Sequence, residues 1–259
     1  MKYKEKYLNL KKGGANESSK RIIKRAIDIY FKGAKSNTQL IEYIKTMDLN
    51  KDKTHFTLSI CCDEINHEIG DLPDLCRNLF GDVFQIGGLG GIPFPGITGL
   101  NATLHHVPTD GTLFILYGPH VGISLEGKIG DYNRFGIKKP GHACGAAIGA
   151  YHKINQTNNQ VSDNPYDHQF NYIVDELKNK KDDINKEKDE NLKNVRIVES
   201  MFDIIYKWIE EFKKTFRNQN DVKKLILLGG IVINVSRQTE TINNLEDHFL
   251  IKKVETVEV

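Results

Sequence analysis

The chain has 259 residues, a formal charge of +2, 39% hydrophobic and 27% charged residues, which is enough apolar sequence for one sizeable α/β domain. The near-neutral balance argues against a dedicated nucleic-acid binder. No apolar run approaches the ~20 residues that span a bilayer, and the opening Met-Lys-Tyr-Lys-Glu-Lys-Tyr-Leu lacks the apolar core of a secretory signal. Four cysteines without disulfide-dense spacing suit a reducing compartment, so the expectation is a cytoplasmic protein, not secreted, with no membrane or nucleic-acid partner.

Residues 1–18, rich in Lys and containing Lys11-Lys12-Gly13-Gly14, are expected to form a disordered basic leader, and 19–259 a single domain. Ile22, Ile23, Ala26, Ile27 and Tyr30, then Leu40, Ile41, Ile44 and Met47, recur at helical spacing and predict an N-terminal helical arm. Gly33 and Ser36-Asn37-Thr38 divide it in two, the latter supplying N-cap side chains. Phe56, Leu58 and Ile60 alternate as in a core-facing strand, and Leu72–Phe80 predicts a short helix with Pro73 in its first turn. Gly87 to Gly96 is a loop whose glycines permit close backbone approach to a ligand. It lacks the Gly-x-Gly-x-x-Gly spacing of a dinucleotide site, since Pro93 stands where the third Gly belongs. The stretch of about 153–195, dominated by Asn, Lys, Asp, Gln and Glu, reads as a solvated polar insertion with a short helix near Ile173–Leu177. Arg196–Arg217 predicts an amphipathic helix, Lys224–Asn234 a buried strand interrupted by a Gly pair, and Phe249–Val257 an edge strand. Strands alternating with helices predict an α/β fold with a largely parallel central sheet flanked by helices.

The chemistry gathers where apolar runs stop. Cys61-Cys62-Asp63-Glu64 follows Thr57–Ile60, His120 closes Thr112–Pro119, and Cys144 opens the small-residue stretch Gly145–Ala150. Residues at the carboxyl ends of parallel strands converge on one crevice, so Cys61 and His120 can meet although 59 positions apart. Two Cys and one His leave one tetrahedral position on zinc open, as catalytic sites require. Among the histidines, His120 ranks first as ligand, the pair His105 and His106 second and His142 third. The pair can instead carry protons or line the pocket. Cys76, within an apolar helix, and Cys62, opposite Cys61 on an extended strand, read as packing residues. A hydrolase with Cys144 as nucleophile and a His as base is the more distant reading, because it leaves Cys61-x-Asp63 without a role.

Cys61-x-Asp63-Glu64-Ile65-Asn66, Gly90–Gly96, His105-His106-Val107-Pro108, Gly118–Ile123, Cys144-Gly145-Ala146, Leu228–Asn234 and Asp247-His248-Phe249 together resemble the low-CO2-inducible B protein family. That family is a divergent, θ-type branch of the β-carbonic anhydrases, and the resemblance spans about residues 20 to 255. It implies a β-carbonic-anhydrase-like fold and zinc held by Cys61, His120 and Cys144. It further implies reversible hydration of carbon dioxide to bicarbonate, with Asp63 orienting the attacking water and His67, His105 or His106 exporting the proton. Phe84, Ile92 and Phe94 are the expected apolar wall, and a homodimer the expected assembly. Two departures stand out. His and the second Cys are close in ordinary β-type enzymes, as His-x-x-Cys, but 24 residues apart here, with Ser124–Lys139 forming an excursion that returns to the metal. Those enzymes also place an Arg two residues after the Asp, where this chain has Ile65, with Asn66 and His67 as the nearest polar substitutes. That gap favours the alternative of a catalytically silent zinc homologue acting as a bicarbonate sensor or scaffold. The leader resembles those on many proteins of large DNA viruses, which implies residence in host cytoplasm or virion.

Overall fold

The structure is a computed structural model that describes residues 18–47, 49–68, 70–134, 136–156, 164–216, 222–236 and 245–258. The leader lies outside them except for residue 18, which begins helix α1 (18–30). Seven strands form one sheet, with β1 (Lys35–Ser36), β9 (His248–Glu258), β8 (Val222–Val235), β4 (Gly111–Tyr117), β2 (Thr54–Ser59) and β3 (Val83–Gln85) in that order, and β5 (His120–Ile123) also paired with β8. The strands β3, β2, β4, β8 and β5 run parallel, while β9 and β1 add an antiparallel edge.

Alternation along β4 explains the layering. Leu113, Ile115 and Tyr117 face one core with α8 (Glu190–Phe216), whereas Phe114 and Leu116 face another with α2 (Asn37–Lys45) and α3 (Leu72–Phe80). The N-terminal helices lie on the sheet itself: Ile23, Ala26, Ile27 and Phe31 pack on Val121, Ile123, Ile231 and Ile233, and Leu40 and Ile44 on Phe56 and Leu58. Ser36 caps α2 through a capping box with Gln39.

Strand β8 runs on through its Gly pair, and the interruption that the sequence predicts there takes the form of a register shift against β9 between Gly229 and Gly230. The pair serves a crossing. There β4 gives way to β5 as the neighbour of β8, and a Cβ on Gly118 would fall 1.7 Å from the Gly230 carbonyl oxygen. Only glycines allow that approach, and it places His120 directly after the turn.

The polar stretch also departs from expectation. Within it, α6 (His168–Lys178) and α7 (Lys181–Asn185) bury Ile173, Val174, Leu177 and Ile184 against α5 (Gly145–Ile154) and α8. Four well-spaced apolar residues suffice to dock an otherwise charged segment. Leu177→Ala is expected to lower unfolding free energy by about 2–5 kcal/mol in urea titrations. An unchanged midpoint would show that this layer is not part of the core.

At the start of β2, His55 stacks on His106 with ring centroids 5.4 Å apart, beside Phe84. Burial, then the His106 charge, holds His55 below its ordinary value of 6.5, against the pull of Asp82. A depressed folded value contributes stability that is present above the unfolded value of 6.5 and is lost as pH falls below it through the folded value. Acidification should therefore lower the Tm of the wild type more than that of His55→Phe; equal losses would contradict this.

Candidate metal centre

Three elements deliver the site. Cys61 lies just beyond β2, His120 begins β5, and Cys144 is the N-cap residue of α5. The Gly-rich loop clamps the first of these: Cys62 N–H donates to Gly88 O at 3.2 Å and Ser59 Oγ to Gly91 O at 2.9 Å. A Cβ on Gly87 would fall 1.9 Å from Ile60 O, so this loop's glycines serve chain-to-chain packing. After β5 the chain leaves through β6 (Asp131–Tyr132), paired with β7 (Gly141–His142), and returns to Cys144, as the excursion predicts.

Cys61, His120 and Cys144 are all buried, with ligand atoms within 4.8 Å of one another. The two Sγ atoms are 3.8 Å apart, far beyond a disulfide bond. Two thiolates at the ~2.3 Å zinc–sulfur distance on a tetrahedron stand about 3.8 Å apart. His120 is fully buried, its Nδ1 is 2.8 Å from Asn234 Oδ1, and its Nε2 has no hydrogen-bond partner. A buried nitrogen left bare beside two thiols is the donor set of a soft divalent metal, so the residues fit zinc. Cys144 is held below its usual value by the Cys61 thiol first, and by the amides of Ala147 and Ala146 in the first turn of α5, against burial. Burial is the strongest single influence and would lower the His120 ring, but the Cys61 charge and hydrogen bond, the Asp63 charge and the Asn234 hydrogen bond together outweigh it, and the ring lies above its ordinary value.

Asp63 stands beside the group, its Oδ2 3.7 Å from His120 Nε2. Its other oxygen accepts from Arg134 Nη2 at 3.2 Å, and the Arg134 Nε donates to Glu64 Oε1 at 2.6 Å. Arg134 holds Glu64 down to about 2, while burial raises Asp63. The carboxylate partner missing at position 65 is thus supplied from the excursion, 71 residues away in sequence. Asn66 and His67, the expected substitutes, bind the Cys61 carbonyl instead, from Nδ2 at 3.3 Å and Nε2 at 3.2 Å.

The remaining sequence candidates divide. His67 is exposed at the site, whereas His106 stacks on His55 near the start of β2, about 20 Å of extended chain from Cys61. His106 is therefore not placed to serve this centre, and Phe84, in contact with it, is no wall for it. Phe94 packs on Tyr172 and Trp208, and Ile92 is buried in the core that includes both thiols. His142 is exposed and pairs with Asp131 at 3.1 Å. Cys76 is core, as expected, but Cys62 is exposed, because the chain leaves extended pairing at Ser59. Ile65, Tyr132 and Ala143 form a small buried apolar cluster on the segments carrying Asp63, Arg134 and Cys144. Sequence reasoning did not assign Arg134 or Asn234 to the site, because nothing in local spacing joins them to it.

The chain belongs to the family of limiting CO2-inducible proteins B/C beta carbonic anhydrases, whose profile matches residues 31–258. The same relationship shows in solved structures. PtLCIB4, a homolog of the limiting CO2-inducible protein LCIB, is 28% identical over 90% of this chain and 95% of its own, with a TM-score of 0.78. A single-site mutant of PtLCIB4 gives 27% identity over 92% and 95%, with a TM-score of 0.80. LCIB itself, at 17% identity over 88% and 91% and a TM-score of 0.61, shares the fold. No curated protein matches the chain. No helix among the described residues is long and apolar enough to cross a membrane.

Cobalt(II) added to the metal-free protein is expected to produce thiolate-to-metal charge-transfer absorption that Cys144→Ser weakens and Cys61→Ser/Cys144→Ser abolishes. An unaltered spectrum in the double variant would place the metal elsewhere.

Proposed function

We propose that this protein catalyses the reversible hydration of carbon dioxide to bicarbonate and a proton at a zinc held by Cys61, His120 and Cys144. The observation that carries this reading is the buried Cys-His-Cys group with the bare His120 Nε2, next to a carboxylate that an arginine holds back. Zinc in that group supplies the Lewis acidity that makes water nucleophilic near neutral pH.

The protein's residues do the rest. Asp63 accepts a hydrogen bond from the attacking water and aims it at the substrate carbon. Arg134 is a positioning residue: its hydrogen bond to Asp63 Oδ1 would restrain the carboxylate from joining Cys61, His120 and Cys144 as a ligand. Ile65, Tyr132 and Ala143 provide the apolar surface against which carbon dioxide rests, in place of Phe84 and Phe94. His67, exposed and tethered to the Cys61 carbonyl, hands the proton to solvent. The silent-homologue alternative draws on the missing arginine at 65 and on the polar insertion, and the Arg134–Asp63 ion pair weakens the first of these. Reduced thiols suit a cytoplasmic setting, and a homodimer belongs to the same proposal.

The test is stopped-flow hydration with zinc-quantified protein. Two thiolates offset the metal's charge more than neutral imidazoles do, so the rate is expected to rise toward alkaline pH. A flat or acid-favouring profile would contradict the ligand set. Full zinc occupancy with no hydration at any pH would return the alternative. Arg134→Gln is expected to keep its zinc and lose at least about tenfold in kcat/KM, since misplacing a group at the reacting centre costs on that order or more. Wild-type rates in this variant would remove Arg134 from the mechanism.

A further inference from the structure

Two sequence motifs, Leu228–Asn234 and Asp247-His248-Phe249, have no role in the proposed reaction, yet the last residue of the first touches His120 and the first residue of the second touches that asparagine. Asn234, on β8 opposite Gly122, and Asp247, the residue before β9, are buried with His120 and Asn66. Their hydrogen bonds run in one direction. Asp247 Oδ1 accepts from Val235 N–H at 2.8 Å, and its Oδ2 lies 3.0 Å from Asn234 Nδ2. A carboxylate only accepts, so the asparagine must turn its NH2 toward Asp247. The same NH2 reaches Asn66 Oδ1 at 3.2 Å and Ile65 O at 3.4 Å, both acceptors, which supports that orientation. The amide oxygen is thereby left facing His120 Nδ1 at 2.8 Å. An amide oxygen also only accepts, so Nδ1 must carry the proton of the neutral ring. Nε2 is then a lone pair, aimed into the thiol group with no other partner. The opposite tautomer would face two lone pairs across the 2.8 Å Asn234 contact.

We propose that Asp247 and Asn234 are positioning residues that set the tautomer of His120 and so prepare Nε2 as a metal ligand before any metal arrives. The relay is anchored at its far end, where the Asp247 carbonyl accepts from Asn37 N–H at 2.9 Å at the start of α2. Docking of the N-terminal helix and ligand chemistry at the centre thus share one residue. The proposal rests on the reading of Cys61, His120 and Cys144 as a metal site.

The test combines zinc affinity, by competition with a chromophoric chelator, and ring nitrogen NMR on the full chain. Asp247→Asn leaves the Asn234 amide free to present either face, and Asn234→Asp sets two carboxylates against each other. Each is expected to weaken zinc binding by about 10–100-fold, the range for partners that orient metal-binding histidines. The double exchange keeps an acceptor toward His120, a donor between positions 234 and 247, and an acceptor for Val235 N–H, but gives up the position-234 donor to Asn66 Oδ1 and Ile65 O. It is expected to recover part of the lost affinity, which a merely space-filling role would not do. Single variants that bind zinc like the wild type, or a double exchange no better than the singles, would overturn the relay. Should the single variants fail to fold, the wild type decides: before zinc is added, with the ring neutral, the His120 proton should be found on Nδ1. A proton on Nε2 would refute the proposal. Wild-type protein that takes up no zinc would instead contradict the metal site itself, and the NMR result would still judge the relay.

Discussion

A buried nitrogen without a partner costs about 1–3 kcal/mol, and among the described residues His120 Nε2 is such a nitrogen that lies beside two thiols. Much of the surrounding architecture leads to it. The close crossing of Gly118 over Gly230 starts β5 at His120, the Gly-rich loop fixes the chain just beyond β2 at Cys61, and the first turn of α5 supports Cys144. Two thiols 3.8 Å apart and one bare imidazole nitrogen make a group that a metal completes. Without one, the same arrangement crowds soft, ionisable ligands together in a dry interior.

The Asp63–Arg134 pair shows how a chemical requirement survives a change of sequence position. On the proposed reading an acidic group beside the metal must be kept from binding it, and the Arg134 guanidinium, with its fixed fork, engages both Asp63 and Glu64. Here the arginine arrives on the long excursion between β5 and Cys144. That excursion is also the reason His120 and Cys144 stand 24 residues apart. The same segment that lengthens the ligand spacing returns the residue that positions the carboxylate.

Cys61, His120 and Cys144 were legible in the sequence because each ends or begins a regular element, and strand ends of a parallel sheet converge. The parallel sheet and the core role of Cys76 were readable for a similar reason, since periodicity reports which face is buried. Arg134 and the Asn234–Asp247 link were not legible as parts of the site, because their partners lie 71 and 114 residues away for Asp63–Arg134 and His120–Asn234, and no local pattern marks such contacts. His106 misled through residue type alone: a His pair near a turn is chemically suggestive, but the fold puts it near the other end of β2. Composition misled at about 153–195, where abundant charge concealed the four apolar residues that dock α6 and α7.

The central claim is that two sulfurs and one imidazole nitrogen hold zinc with a fourth position kept open. X-ray absorption at the zinc edge of the purified protein measures this directly. The account predicts two sulfur neighbours near ~2.3 Å and two nitrogen or oxygen neighbours near ~2.0 Å, with one sulfur lost in Cys61→Ser. A zinc shell free of sulfur, or one unchanged by that substitution, would contradict it.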